Sequence, residues 1–181
     1  MKNLIYAING PVIKVRDTDS FSMLEKVYVG PNKLMGEVIS ISKKETIIQV
    51  YESTSGLKRG DEVIGTKTLV SLVLGPGILS NIFDGIQRPI KTISEQEGIF
   101  ISPGSQVASL DEDKLWDVKM LVRVGDIVSS GHIIALTPET GAIVHKVMIP
   151  PRLSGTIVEA KENGKYTIKE SLIKIQDTEG N

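Results

Sequence analysis

Short runs in which apolar residues alternate with polar ones, each closed by glycine, proline, asparagine or aspartate, set the rhythm of the first part of the chain. Leu4–Ile8 and Val12–Val15 flank Asn9-Gly10-Pro11, a turn in which Gly10 is free to take positive φ and Pro11 restarts the chain. Lys26–Val29, Gly36–Ile41, Thr46–Tyr51 and Val63-Ile64 follow, with turn chemistry at Glu52–Gly56 and Lys58–Asp61. Strands this short, at about ten-residue spacing and separated by turns, predict a small closed β-barrel. It is placed at residues 1–68. Leu69–Leu74 reads as one more strand, and Ile78–Phe83 as a weakly capped helical turn or two.

A second β module is predicted over residues 93–176. Gly98–Ile101, Trp116–Val124, Ile133–Leu136, Ala142–Ile149 and Leu172–Ile175 read as strands, and Asp111–Asp113 as a short helical start. Gly155–Ala160 and Tyr166–Lys169 read as a hairpin across Glu162–Lys165, because Asn163-Gly164 is a strong local turn signal. Residues 177–181 are polar and expected to fray. The expected class is all-β with little helix: a barrel, then a barrel-sandwich whose element order resembles biotinyl and lipoyl domains.

Between the modules, at 69–92, lies the most singular stretch. Gly75–Pro89 packs three glycines and two prolines around an apolar run and the polar residues Asp84, Gln87 and Arg88. Proline fixes φ and glycine frees it, so such a segment specifies one irregular path, as a rigid connector does. The candidate structural and interdomain residues are Gly10, Pro11, Gly75, Pro76, Gly77, Asp84, Gly85, Gln87, Arg88 and Pro89. An internal echo links Gly60-Asp61 to Gly125-Asp126, each followed by a valine and a further glycine. This reads as a turn feeding a strand, with aspartate capping local donors.

Composition narrows the function. A net charge of −1 and 4% aromatic residues argue against nucleic acid as a partner. With no cysteine, thiolate metal sites and cysteine nucleophiles are excluded. No apolar run reaches the roughly 18 residues of a membrane span, and no signal-peptide core follows Met1. A cytoplasmic chain without direct membrane insertion is expected.

Catalytic chemistry is hard to find. The Gly164-Lys165 pair is followed by Tyr166 and has Glu159 where a phosphate-binding loop needs glycine. Gly75-Pro76-Gly77-Ile78-Leu79-Ser80 lacks the last glycine of a dinucleotide fingerprint. His132 and His145 stand without metal-ligand spacing, and the turn carboxylates form no dyad. The module with biotinyl-like order has Pro138–Ala142 at its hairpin tip, with no lysine to acylate; Lys119 and Lys146 stand elsewhere.

Several blocks resemble, in order, the catalytic A subunit of V-type and archaeal-type rotary ATPases. They are Ile5–Val15, Leu34–Ile39, Gln49–Leu57 with Gly60-Asp61, the Gly75–Pro89 block, Leu110-Asp111 with Trp116, Pro138-Glu139, and Val144–Pro151 with Gly155-Thr156. The departures are Pro103 before Gly104 in place of the family's arginine, Val118 in place of an aromatic, and Ala135 in place of a common glycine. The resemblance implies the N-terminal barrel and the bulge, or non-homologous, region of such a protein. It implies a role in proton or sodium transport coupled to ATP. ATP and magnesium would be held elsewhere in the parent subunit, with no cofactor, metal or catalytic residue in these 181 residues. Implied partners are B subunits and other A subunits in a hexamer, where the barrel would pack in a crown, and peripheral-stalk subunits. The complex would be peripheral to a membrane. A free-standing β scaffold or adaptor, or a degenerate carrier domain, is the alternative.

Overall fold

The computed structural model describes residues 3–16, 20–79, 81–98 and 100–177. It divides into two compact units: Met1–Leu72 with Phe83–Val107, and Val73–Ile82 with Ala108–Asn181. The division differs from the expected one. Residues 93–107, expected to open the second module, group with the first unit, and the expected connector of 69–92 is shared out, with 73–82 in the second unit and the rest in the first.

The first unit is one antiparallel sheet of six strands: β1 (Ile5–Asn9), β2 (Val12–Val15), β3 (Glu25–Val29), β4 (Leu34–Ile41), β5 (Thr46–Val50) and β6 (Val63–Leu69), in the order β1-β2-β5-β4-β3-β6. Alternation along each strand puts Ile13, Val15, Val27, Val29, Val38 and Ile48 into a single core with Ile5, Phe21 and Leu34. The outermost members meet through a Leu4–Glu62 bridge and main-chain bonds from Val63 N to Asn3 O and from Ile5 N to Asp61 O. Between β3 and β6 the register shifts at Glu25. There the buried Glu25 carboxylate accepts from Ser22 N and Lys67 N, and Lys67 has φ 58°.

One helix, α1 (Ile90–Glu97), belongs to this unit and buries Ile93. It occupies the place where the second module was expected to begin. Pro89 at its N-cap contributes no side-chain hydrogen bond and its first turn has no acidic residue. The usual start signals are therefore missing from the sequence.

The second unit holds two antiparallel sheets. One is β10 (Val144–Met148), β9 (Ile133–Pro138), β7 (Trp116–Met120) and β12 (Gly164–Tyr166); the other is β13 (Ile173–Gln176), β11 (Gly155–Ala160) and β8 (Ile127–Val128). Val122, Val128, Ile134, Ile149 and Ile157 form its core. The expected hairpin of 155–169 does not form. β11 pairs with β13 and β8, whereas β12 pairs with β7, and the Asn163 side chain accepts from Met120 N. Partners distant in sequence have outcompeted the local turn signal.

Other expectations are corrected in detail. Residues 70–74 lie outside every sheet, and Asn81 N bonds to Ile78 O in a turn where a helix was expected. Asp111 is the acceptor for Asp113 N and Lys114 N in a non-helical turn. No strand spans 98–101 among the described residues, and Ser80, Ile99 and 178–181 lie outside them. No helix among the described residues is long and apolar enough to cross a membrane.

Candidate functional site

The Gly75–Pro89 stretch is divided between the two units, and each half is anchored by buried carboxylates. In the first unit, Phe83 and Pro89 pair as an isolated bridge and enclose a turn built on Asp84. Asp84 Oδ1 accepts from Ile86 N (3.1 Å) and Arg88 N (2.8 Å), and Oδ2 accepts from Arg88 Nε (2.7 Å). Gln87, whose N–H donates to Asp84 O, takes φ 60°, the left-handed residue that closes a three-residue hairpin loop.

Arg88 turns its other face to Glu52, with Nη1 2.9 Å from Oε2. The same oxygen accepts from Gly104 N at 2.9 Å. The side chains of Arg88, Glu52 and Asp84 are 14%, 11% and 20% exposed, so the group is largely withdrawn from water. Burial alone would raise the Asp84 carboxyl; hydrogen bonds from the Arg88 main chain and guanidinium, and from Ile86, outweigh it and hold the carboxyl below its ordinary value. Burial opposes the charge on Arg88 as well, and the two carboxylates more than restore it. Gly104, at φ 75°, has no room for a side chain: a Cβ there would stand 1.7 Å from Asn32 O.

In the second unit, Glu139 sits where the β9–β10 hairpin turns, its side chain 2% exposed. Its Oε1 accepts from Gly77 N (2.7 Å) and Leu79 N (3.0 Å), and Asn81 Nδ2 donates to Gly77 O. Gly77 has φ 107°, and a Cβ on it would lie 3.4 Å from the Trp116 ring. His145 Nδ1 is 3.8 Å from Glu139 Oε2. Gly75 and Pro76 help to line an adjoining cavity of about 320 Å³ with Leu110, Trp116, Ile134 and His145.

Asp84 and Arg88 are brought together, and Gln87, Gly85 and Pro89 share their turn. Gly75, Pro76 and Gly77 are placed in the other unit. Gly10, φ 57°, and Pro11 turn β1 into β2, with Thr54 Oγ1 on Gly10 O and Val50 N on Pro11 O. Sequence reading missed Glu52, Gly104 and Glu139. Glu52 and Glu139 lay in turns within family-like blocks with nothing to mark them as anchors, and their partners lie 36 and 62 residues away. The carboxylates pair with the guanidinium and with main-chain amides, which is the arrangement of a clamp. Lys119 and Lys146 lie within β7 and β10, not at the hairpin tip.

Comparison with known proteins matches two family models. "ATP synthase alpha/beta family, beta-barrel domain" covers residues 5–67, and "ATPsynthase alpha/beta subunit barrel-sandwich domain" covers 107–181. The V-type ATP synthase alpha chain of Halothermothrix orenii is 45% identical over 180 residues, which is 99% of this chain and 30% of that one. The V-type ATP synthase alpha chain 2 of Clostridium tetani is 46% identical over 96% of this chain and 29% of its own length. The A subunit of the A-type ATP synthase of Methanopyrus kandleri is 42% identical over 99% and 30%. The chain spans about 30% of the length of these relatives.

Proposed function

The chain belongs to the ATP synthase alpha/beta family, and from that membership we propose that it forms the N-terminal, non-catalytic part of the A subunit of a rotary ATPase or ATP synthase. The observation that carries this reading is similarity along nearly the whole chain to relatives that share one kind of name. In the proposed assembly the β-barrel of the first unit packs beside those of neighbouring A and B subunits as a crown, and the second unit reaches the peripheral stalk. Protons or sodium ions are moved by other subunits. ATP and magnesium bind in the rest of the parent subunit.

The residues support a mechanical role. Arg88 ties Asp84, Glu52 and, through Glu52, the Gly104 amide into one body, and Glu139 holds the Gly77–Leu79 amides. Buried polar networks of this kind rigidify the backbone they hold. Among the described residues no cluster of histidine and carboxylates has metal-binding geometry.

The test is a chimera in which this chain replaces the matched part of the Halothermothrix orenii alpha chain, expressed with the other subunits of that enzyme. The expected result is an assembled complex that hydrolyses ATP within about tenfold of the parent, roughly 1.4 kcal/mol in barrier height. The isolated chain should hydrolyse none. A chimeric subunit that folds but does not assemble would favour a free-standing scaffold instead.

A further inference from the structure

The chain carries two Asn-Gly dipeptides, Asn9-Gly10 and Asn163-Gly164, and both asparagines are exposed. Asn-Gly is the dipeptide most prone to lose ammonia, because glycine has no Cβ to keep its amide nitrogen away from the asparagine Cγ. The glycine nitrogen attacks Cγ, a C–N bond forms, and the side-chain nitrogen leaves as ammonia. Water then opens the cyclic imide at either carbonyl, giving aspartate or isoaspartate. One water enters, one ammonia leaves, and no electrons are transferred. Sequence alone does not rank the two sites. The fold does.

At Asn163 both reacting groups are committed. Its Oδ1 accepts from Met120 N at 2.8 Å. Gly164 stands opposite Val118 in the pairing of β12 with β7. Leu121 N donates to Ile134 O on the β9 side, and successive residues of a strand turn their main-chain groups to opposite neighbours. Lys119 therefore faces β9, whereas Met120 and Val118 face β12, which sets the Gly164 N–H against Val118 O. The nitrogen reaches Cγ only after that pair and the Met120 bond are broken. At Asn9 neither restraint exists. Asn9 ends β1 and pairs with Val12 across the two-residue turn Gly10-Pro11. Gly10, at φ 57°, lies in that turn, and among the described residues its N–H has no main-chain partner and the Asn9 side chain makes no hydrogen bond. A Cβ on Gly10 would meet nothing within 4 Å, so the approach is uncrowded.

We propose that Asn9 is a deamidation site, converted through the cyclic imide to aspartate and isoaspartate, while the pairing of β12 with β7 shields Asn163. The isoaspartate product carries an extra carbon in the main chain, and it arises at the turn where Thr54 Oγ1 donates to Gly10 O and Val50 N to Pro11 O. Conversion therefore adds a negative charge and loosens the β1–β2 hairpin of the first unit.

Peptide mapping by mass spectrometry of the 181-residue chain, held in neutral buffer, tests this. In the folded chain Asn9 is expected to convert at least ~10-fold faster than Asn163, the factor that two retained hydrogen bonds impose. In denaturant the two sites should agree within ~3-fold, because the shield is then lost. Tyr166 stands opposite Trp116 in the same pairing, so Tyr166→Pro, which removes a ladder N–H from β12, should speed Asn163 by ~10-fold and leave Asn9 unchanged. Equal rates in the folded chain, or faster conversion of Asn163, would overturn the proposal. So would a difference between the sites that persists in denaturant, since neighbouring residues rather than the fold would then set it. An Asn163 rate unmoved by Tyr166→Pro would remove the shield from the account and overturn that half of it.

Discussion

Arg88 is the residue on which most of the first unit's buried charge depends. Two carboxylates face it with side chains 11% and 20% exposed, and one of them also holds the Gly104 amide. Removing one partner of a buried ionic group leaves the rest uncompensated, which costs more than the intact group contributes over apolar replacements. Arg88→Ala is expected to destabilise by about 3 kcal/mol, and Arg88→Lys by about half as much, because an ammonium does not present two fixed edges. Chemical denaturation checks both. The pH dependence has a definite sign. Asp84 is held below its ordinary value, so its contribution is complete above the unfolded value of about 3.9 and is lost as pH falls through the lowered one. Asp84→Asn should flatten that acid limb, and an unchanged limb would place the titration elsewhere.

At the scale of elements, one device appears in both units. Lys58 N donates to Asp61 Oδ2 and Gly60 N to Ile5 O, while Ile5 N returns to Asp61 O. Arg123 N donates to Asp126 Oδ2 and Gly125 N to Ile157 O, while Ile157 N returns to Asp126 O. Gly60 and Gly125 take φ 96° and 94°, so the same turn delivers the chain to a strand twice. Asp61→Ala and Asp126→Ala should each cost about 1 kcal/mol, seen as faster exchange in the turn's own unit. A loss of several kcal/mol would mean the aspartate does more than cap. This motif was legible because all its bonds but those to Ile5 and Ile157 are local. Most strands of the first unit were legible from their local alternation, and Val12–Val15 falls on β2 without adjustment, whereas 70–74 and 98–101 carried strand-like sequence and form no strand among the described residues. What escaped was non-local or weakly marked. The pairing of Gly164–Tyr166 with Trp116–Val118 spans most of the second unit, and α1 has one buried residue and no capping side chain. Of the candidate site, Asp84 and Arg88 stand four apart and could be paired by eye, whereas Glu52 and Gly104 enter only through the fold.

For the whole molecule, the two units differ in how they are built. The first sets one six-stranded sheet over a single apolar core, and the second packs residues of two smaller sheets into another. Each core is drawn from its own unit, so a cavity opened in one should be felt there first. The chain offers a reporter for this. Its only tryptophan, Trp116, is 6% exposed in the second unit, whereas Ile48 is fully buried in the first. Ile48→Ala removes buried methylenes from a packed core and is expected to cost about 3 kcal/mol. If the units unfold separately, the loss should appear in the far-ultraviolet transition dominated by the first unit, with the tryptophan fluorescence midpoint unchanged. A fluorescence transition that moves by the same amount would instead make the two units one cooperative body, and the clamp formed by Arg88 would then bear on the stability of the whole chain.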